Sequence, residues 1–285
     1  MKGSAHRQLQ PTTLAVLCGV CLYSARAQQS PWLPAEHQFV ISPAYSFDTF
    51  DKFWFGKTKI RLEPDDSIQH TVYLDAEYGL SDNLALDFTA GYLWAESKAF
   101  NPAHVTENDA GWLDTTFGVR YRLVDEHNTS SLFTPTLTLR VGGIIEGTYQ
   151  PDYLFSAGAG ASGIETLLLF GKLIGQTGLA VYGDVGYRHR GEHVPDTFFS
   201  QIGVSETILV CLTINVSYRH AQSLSGGDIG AVPFPQTTQN AEQIEAGIGY
   251  TDKRNRSFQV FVAETLDGRN VAAKSVIGLS ASLPF

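Results

Sequence analysis

The chain has 285 residues, of which 17% are charged, 12% are aromatic and 27 are glycines, and its formal net charge is −9. Basic residues are outnumbered and scattered, which argues against nucleic-acid binding. After one apolar run near the start, no apolar stretch is long enough for a membrane helix, so a helical membrane protein is excluded as well.

The first predicted element is a secretory signal peptide over residues 1–27. Basic residues precede an apolar run at 14–22 that is too short to span a bilayer, and Ala25 and Ala27 then form a small-x-small cleavage site. Two of the three cysteines lie in this segment, so the mature chain has no disulfide framework. We therefore expect one mature domain over residues 28–285.

Apolar and polar residues alternate along most of this domain, which is the period of a β-strand. From Ile68 to Leu80 the apolar side chains share one face, a polar turn follows at 81–83, and the alternation resumes up to Trp94, which predicts a hairpin. Strong alternation recurs at 113–123, 133–141, 179–188, 212–219, 243–250, 258–262 and 277–285. Weaker strands are predicted at about 37–47, 157–172 and 197–205.

These segments make twelve strands, and an even number is what a closed barrel with both termini on one side requires. The predicted fold is all-β, a twelve-stranded antiparallel transmembrane up-and-down β-barrel. Long connections alternate with short turns, so we expect the long ones outside the cell and the short ones in the periplasm. The long connections span residues 49–65, 97–110, 147–156, 191–196, 221–240 and 267–274.

A soluble β-sandwich or a secreted lipocalin-like barrel also alternates, but two features favour a membrane barrel. Many of the predicted strands are longer than the five or six residues usual in soluble proteins. Aromatic residues also lie near strand ends, where interfacial girdles belong: Tyr78, Tyr92, Trp94, Tyr121, Tyr187, Tyr218 and Tyr250. The predicted location is the outer membrane of a Gram-negative bacterium, with outer-membrane lipid and lipopolysaccharide as partners.

The terminal strand ends on an aromatic residue, which is typical of barrels that the outer-membrane insertion machinery recognises. Leu283 and Phe285 share its outward face, and we assign them as the insertion signal. This strand must pair with the first strand to close the barrel. Pro284 cannot donate to the ladder, so we expect Phe285 to fray or to lie at the edge of the seam.

Three stretches resemble an outer-membrane family often filed under the meta-pathway of phenol degradation. They are QHTVYLDAEYGLSDNLAL at 69–86, VYGDVGYRHRGEHVPDTFFSQIGV at 181–204 and TLDGRNVAAKSVIGLSASLPF at 265–285. The similarity extends from about Phe39 to Phe285, and the GLSDNL turn, the YRHRG…PD loop and the GRN hairpin carry it. The resemblance implies a twelve-stranded barrel with a part in the uptake of small, often aromatic, compounds.

Inward positions carry a predicted lumen charge cluster, with acids on the second and third strands facing bases on the fourth and fifth. Its members are Asp75, Glu77, Asp87, Arg120, Arg122 and Arg140. One interpretation is a constriction whose transverse field selects polar solutes. The interpretation that we favour is a salt-bridge cluster that partly plugs the bore, because adjacent strands place partners within reach.

A second charged set, the outer vestibule, is predicted from Asp184, Arg188, Arg190, Arg219 and Glu245. It either attracts anionic solutes or, as we favour, anchors the extracellular loops.

Four aromatic residues point inward and either stack on a solute or fill the lumen: Tyr73, Tyr182, Phe199 and Phe261. Glycine and small polar residues dominate many strands, so we expect space along one wall. The polar loop around Asp228 is expected to be solvated rather than folded as a lid.

Outward histidines at the outer rim raise the hypothesis of a lipid hydrolase on the barrel surface. His70, His189 and His220 lie there, but the outward Ser200 has no evident acid or amide partner for nucleophilic catalysis. Metal-spaced clusters and phosphate-binding loops are absent from the sequence, so we expect no enzyme activity, no metal and no cofactor.

The predicted function is an outer-membrane channel or facilitator for the passive uptake of a small-molecule solute, including aromatic or hydrophobic compounds. The alternative is a structural or surface-interaction barrel whose lumen is closed by salt bridges. A lipid hydrolase is the least favoured hypothesis.

Overall fold

The computed structural model describes residues 30–62, 66–97, 107–128, 133–150, 158–175, 177–209, 211–233 and 236–285. Within these residues, twelve antiparallel strands form one closed barrel in which each strand pairs with its neighbours in sequence and the last pairs with the first. The predicted fold class is confirmed. The signal peptide predicted at 1–27 lies outside the described residues.

The twelve barrel strands agree with the alternating segments of the sequence, with the largest shifts at the starts of the fourth and sixth strands and at the end of the eleventh. They are β1 Phe39–Phe50, β2 Ser67–Ser81, β3 Leu84–Ser97, β4 Glu107–Trp112 continued by Thr115–Val124, β5 Thr136–Ile145, β6 Gly163–Ile174, β7 Leu179–Arg190, β8 Thr197–Ile208, β9 Leu212–Ser223, β10 Asn240–Thr251, β11 Ser257–Arg269 and β12 Ser275–Pro284. A hairpin of Lys52–Phe55 and Thr58–Arg61 lies in the first long loop, and a 3₁₀ turn, Glu126–Asn128, follows β4. No helix among the described residues is long and apolar enough to cross a membrane.

Backbone hydrogen bonds join β1 to β12 as far as the last residue, Phe285. The register of this seam runs from Val40 opposite Pro284 to Thr49 opposite Ser275. Beyond it, the N–H of Phe285 donates to the carbonyl of Phe39 at 2.8 Å, and the N–H of Phe39 donates back at 3.3 Å. Phe285 therefore does not fray and lies at the edge of the seam, which is the second of the two expected outcomes. Backbone groups of an antiparallel strand point alternately to its two neighbours, so Pro284 directs its nitrogen away from β1 and costs this seam no bond.

The outer face of the barrel carries a belt of exposed apolar side chains, and the inner face is mainly polar. Exposed members include Leu74, Leu86, Phe88, Val119, Val141, Ile202, Val216, Ile248, Val262 and Leu279. Six of the seven predicted girdle aromatics are exposed, and Tyr78 is half-buried. Water would penalise such a belt, whereas hydrocarbon accommodates it, so the strands span a membrane. We term the end with the long loops extracellular and the other end periplasmic.

Three extracellular loops are tied together over part of the mouth. Asp228, between β9 and β10, accepts hydrogen bonds from Arg269 at 2.8 and 2.9 Å and from Asn270 at 3.0 Å. Asn270 also accepts a hydrogen bond from the Gly56 N–H at 2.8 Å, which brings in the first loop. The apolar side chains that pack beside this latch are Phe50, Phe53, Phe55, Leu62, Ile229 and Ala272. The expectation of a solvated loop around Asp228 is wrong, because these contacts hold its described part.

Deleting Phe285 removes both hydrogen bonds to Phe39 and the terminal aromatic side chain. We expect most of the deleted protein to remain unassembled, because the closing seam and the predicted insertion signal are lost together. Assembly is measured as the heat-modifiable folded band in outer-membrane fractions. Phe133→Ala truncates another highly exposed phenylalanine and serves as the control, with normal assembly expected. Normal assembly of the Phe285 deletion would contradict the role assigned to this residue.

Hydrogen bonds from Arg269 and Asn270 lower the pKa of Asp228 from 3.8 to about 2. Because the folded-state pKa is depressed, the latch is fully formed above the ordinary pKa and is lost only as the pH falls through about 2. We expect a spin label at the exposed Ala231 to keep its mobility between about pH 7 and about pH 4, and Asp228→Asn to mobilise it throughout. Asp252→Asn, in a periplasmic turn, is the control. A label that loosens in wild type near pH 4 would contradict the latch.

Candidate functional site

A ladder of alternating charges crosses the lumen wall from β2 to β7. Its members are Glu77, Arg120, Asp87, Arg140, Glu165 and Arg188. Arg120 pairs with Glu77 and lies 3.6 Å from Asp87. Arg140 lies between two acids, 2.7 Å from Asp87 and 2.5 Å from Glu165. Glu165 in turn accepts hydrogen bonds from Arg188 at 3.0 and 2.7 Å.

Burial makes this ladder structurally demanding. The side chains of Arg120, Arg140 and Asp87 are all 0% exposed. A buried ion pair adds little net stability, but removing one partner leaves an uncompensated charge in a medium of low dielectric constant. Each base here contacts an acid directly, so little of the ladder's field extends into open lumen. The geometry of this wall favours the salt-bridge interpretation over a field that selects solutes.

Two residues of the predicted lumen charge cluster lie apart from the ladder. Arg122 reaches the β2–β3 turn, where it donates to Asn83 at 3.2 Å and to the carbonyl of Asp82, and it lies 3.3 Å from Asp125. Its side chain thus ties two periplasmic turns together instead of joining the cluster. Asp75 is buried and accepts a hydrogen bond from Thr89.

The predicted outer vestibule does not form one site. Arg188 belongs to the ladder. Arg190 donates to Asp114 at 2.6 Å and to the carbonyl of Ala161 at 2.7 Å, beneath the loop after β5. Arg219 lies across β8–β10, where it donates to Gln201 at 3.0 Å and lies 3.3 Å from Glu245. The fifth residue, Asp184, is 1% exposed and lies beside Gln201 on the neighbouring strand.

Three inward-facing glycines leave space that aromatic rings on neighbouring strands occupy. A Cβ at Gly186 would collide with the ring of Phe199, one at Gly203 with Tyr182, and one at Gly278 with Phe261. The rings therefore lie flat against the wall. The expectation that these glycines leave unoccupied space is wrong at these three positions, although a ring laid flat occupies less of the bore than one that crosses it. Gly249 differs, because the nearest atom to its Cβ position is a carbonyl oxygen at 3.4 Å.

The half of the lumen opposite the ladder is the less filled one. At its extracellular end, Phe199 and Gln243 are half-buried, and the guanidinium of Arg188, the last residue of the ladder, lies 5.1 Å from the centre of the Phe199 ring. At its periplasmic end, Thr207, Thr213 and Gly249 are half-buried. Between the two ends lie the group Gln201, Arg219 and Glu245, of which Gln201 and Glu245 are 4% and 5% exposed. We call this group the constriction.

The sequence analysis did not assign two features of the lumen, which are Glu165 and the segment before β1. Glu165 lies in a strand with weak alternation, because Leu167 and Leu169 also point inward and are buried. The segment before β1 enters the periplasmic end of the lumen, where the carbonyls of Ser30 and Pro31 accept hydrogen bonds from Arg120 at 3.3 Å and Thr138 at 2.7 Å. In the sequence, the residues that could have indicated this segment are Pro31, Trp32 and Pro34, just after the predicted cleavage site.

The outward residues considered for lipid hydrolysis share a row but not the contacts of a catalytic triad. Ser200, His220 and Glu242 lie opposite one another on β8, β9 and β10. His220 Nδ1 is 3.8 Å from Glu242, beyond hydrogen-bonding distance, and no hydrogen bond joins Ser200 to His220 among the described residues. The other two rim histidines bind side chains nearby, His70 to Tyr45 at 2.8 Å and His189 to Asp196 at 2.7 Å.

The barrel is similar to outer-membrane barrels of known structure. An outer membrane channel from Pseudomonas putida F1 gives a TM-score of 0.71 at 13% sequence identity, over 89% of this chain and 97% of that one. The translocator domain of the autotransporter NalP from Neisseria meningitidis gives 0.50 at 12% identity, over 88% and 90% of the two chains. No protein-family model matches this chain, and no curated protein does. The likeness establishes the fold, and with the exposed apolar belt it places the barrel in the outer membrane.

Replacing Arg140 by methionine leaves Asp87 and Glu165 without their shared cation. We expect the free energy of unfolding to fall by about 3–5 kcal/mol, the usual cost of breaking a buried ion pair. Urea unfolding in detergent micelles measures the change. Lys52→Met removes a base whose side chain is 49% exposed and 3.7 Å from Asp51, and this control is expected to change stability little. Equal effects of the two substitutions would contradict the structural role of the ladder.

Proposed function

We propose that this protein is an outer-membrane channel for the passive uptake of small molecules. Its barrel has the fold of an outer membrane channel from Pseudomonas putida F1. The observation that carries the proposal is the division of the lumen. The ladder seals one wall, whereas the β7–β10 side keeps half-buried polar side chains at both ends, with the constriction between them.

The constriction suits a narrow passage for small solutes. Arg219 and Glu245 lie 3.3 Å apart on two neighbouring strands, and long side chains of this kind rearrange more readily than backbone. Neutral polar groups line the same side of the lumen, among them Gln201, Asn215, Ser217 and Gln259. Such groups replace part of the hydration of a polar solute as it passes.

Because aromatic rings lie flat against the lumen wall, we include aromatic and partly hydrophobic compounds among the proposed solutes. Phe199 is half-buried on the extracellular side with the guanidinium of Arg188 over its ring, so an aromatic solute would stack there by taking the place of the guanidinium. We also infer that the chain belongs to the outer-membrane family it resembles at 69–86, 181–204 and 265–285. Lipopolysaccharide and the insertion machinery stay predicted partners.

The competing function is a structural barrel with a closed lumen. The ladder favours it, since Arg120 and Arg140 are fully buried, and so does the segment at Ser30 and Pro31 that fills part of the periplasmic end. The two functions differ in a measurable way, because only a channel changes its current when the constriction is altered.

Replacing Arg219 by alanine removes the longest side chain of the constriction and frees Glu245 from its partner. We expect a larger single-channel current in planar bilayers, with a shift toward cation selectivity because the remaining charge is negative. Arg122→Ala removes the same charge at the periplasmic turns and is the matched control, with current close to wild type. Absence of current from wild type, Arg219→Ala and Arg140→Ala alike would favour the closed barrel.

A further inference from the structure

The hairpin in the first long loop concentrates exposed positive charge outside the cell. Residues 52–61 include four basic residues, all of them exposed: Lys52, Lys57, Lys59 and Arg61. In the part of the chain that the structure describes, two other basic residues are exposed, Lys253 and Arg254, and both lie in a periplasmic turn. The exposed positive charge of the described extracellular end is therefore confined to this hairpin, in a chain whose formal net charge is −9.

Strand pairing places three of these bases on one face of the hairpin. Lys52 lies opposite Arg61, and Trp54 lies opposite Lys59. Paired residues share a face, and so do residues two apart along a strand, so these four side chains project to the same side. We call Lys52, Lys59 and Arg61 the basic face. The opposite face carries the apolar side chains Phe53, Phe55 and Ile60.

The apolar face of the hairpin packs toward the mouth of the barrel. Phe53 and Phe55 belong to one apolar cluster with Phe50 and Ile229. Phe50 shares the inner face of β1 with the buried Asp48, and Ile229 belongs to the loop between β9 and β10 that the latch holds over the mouth. The basic face is therefore turned away from the mouth, toward the surrounding membrane surface.

The hairpin is held by the neighbouring loop, so the basic face has a fixed position. The N–H of Trp54 donates to the carbonyl of Val271 at 2.9 Å, and the N–H of Ala273 donates to the carbonyl of Lys52 at 2.9 Å. Trp54 is 4% exposed, and the Lys59 ammonium lies 4.3 Å from the centre of its ring. A ligand loses less affinity to ordering when the groups that bind it are already positioned.

Within the described part of the chain, the charge of the basic face is only partly balanced. Asp51 lies 3.7 Å from Lys52 and 3.8 Å from Arg61, so two bases share one carboxylate. No described carboxylate forms an ion pair with Lys59. The remaining charge favours an anionic partner, and both lysine and arginine bind phosphate groups.

A group of outward aromatic side chains lies below the hairpin, on β1 to β3. The ring of His70 stacks on Trp94 at 5.3 Å and lies 5.1 Å from the ring of Phe47. Aromatic side chains of this kind occupy the level of the lipid headgroups. Lys52 follows Phe47 by five residues, so the basic face begins just above this level, where the phosphate groups of the outer leaflet lie.

We propose that the basic face binds the phosphate groups of lipid A, the lipid anchor of lipopolysaccharide. The acyl chains lie along the exposed apolar belt, and Lys52, Lys59 and Arg61 contact the phosphate groups above it. An anionic solute is the other ligand that such charge would attract, but the basic face is turned away from the mouth. The proposal goes beyond the proposed channel function and does not depend on it.

Lipid binding by the purified, folded protein tests this proposal. The triple variant Lys52→Gln, Lys59→Gln, Arg61→Gln removes the charge of the basic face. The matched control, Lys253→Gln with Arg254→Gln, removes the exposed bases of the periplasmic turn. Native mass spectrometry in detergent compares the binding of lipid A with that of lipid A from which the phosphate groups have been removed. The heat-modifiable band establishes that each variant is folded, and reversal potentials in planar bilayers report any attraction of anions toward the mouth.

We expect wild type to bind lipid A at least about fivefold more tightly than the dephosphorylated form, which is roughly the effect of one base beside an anionic membrane surface. The triple variant is expected to lose this preference, and the control is expected to keep it. Equal binding of the two lipids by wild type would overturn the proposal, and so would an equal loss of preference in the control.

A triple variant that keeps the preference would also overturn the proposal, and a reversal potential shifted toward cations in that variant would assign the basic face to anionic solutes. If the triple variant does not fold, Arg61→Gln alone decides the question. Arg61 lies on the strand of the hairpin farther from Val271, and its side chain is 70% exposed. The preference for phosphorylated lipid falls in this variant if the proposal is correct, and an unchanged preference contradicts it.

Discussion

Buried charge is the constraint on which the rest of this barrel depends. Arg120 and Arg140 lie in the lumen wall without access to water, so each must contact acids supplied by other strands. Meeting that requirement fixes the positions of β2 to β6 relative to one another, because a slip of one residue would turn a charge toward lipid. The same arginine that pairs with Glu77 also binds the carbonyl of Ser30, which draws the N-terminal segment onto this wall.

The location of the proposed passage follows from the ladder. A wall packed with paired charges and covered by the N-terminal segment leaves little room, so the passage lies on the β7–β10 side. There the barrel uses glycines of different function. Gly186 and Gly203 hold the rings of Phe199 and Tyr182 flat against the wall, whereas Gly249 leaves the bore clear. Because these rings lie along the wall, the lumen can stay open in spite of its aromatic residues, whereas rings that lay across the lumen would fill it.

Much of the fold was predictable because strand periodicity is a local property. The period of two in segments such as 68–80 and 84–94 reports which face meets lipid, and no tertiary information is needed to read it. Charges on neighbouring strands were assigned to one cluster for the same reason. Strand alternation could not predict that the residues of the outer vestibule lie in separate places. Whether Arg190 contacts Asp114 or Glu165 depends on the reach of its side chain and on the position of the loop. The latch at Asp228 and Asn270 joins residues 42 apart, and no period encodes that contact.

The central claim is that solute passes along the side of the lumen opposite the ladder, and cysteine modification during current recording tests it most directly. Thr213 points into the lumen on β9 and is half-buried, whereas Thr138 on β5 is 0% exposed and binds the N-terminal segment. In the Cys211→Ser background, a charged thiol reagent is predicted to reduce the current of Thr213→Cys and to leave that of Thr138→Cys unchanged. Block at position 138 without block at position 213 would contradict the account.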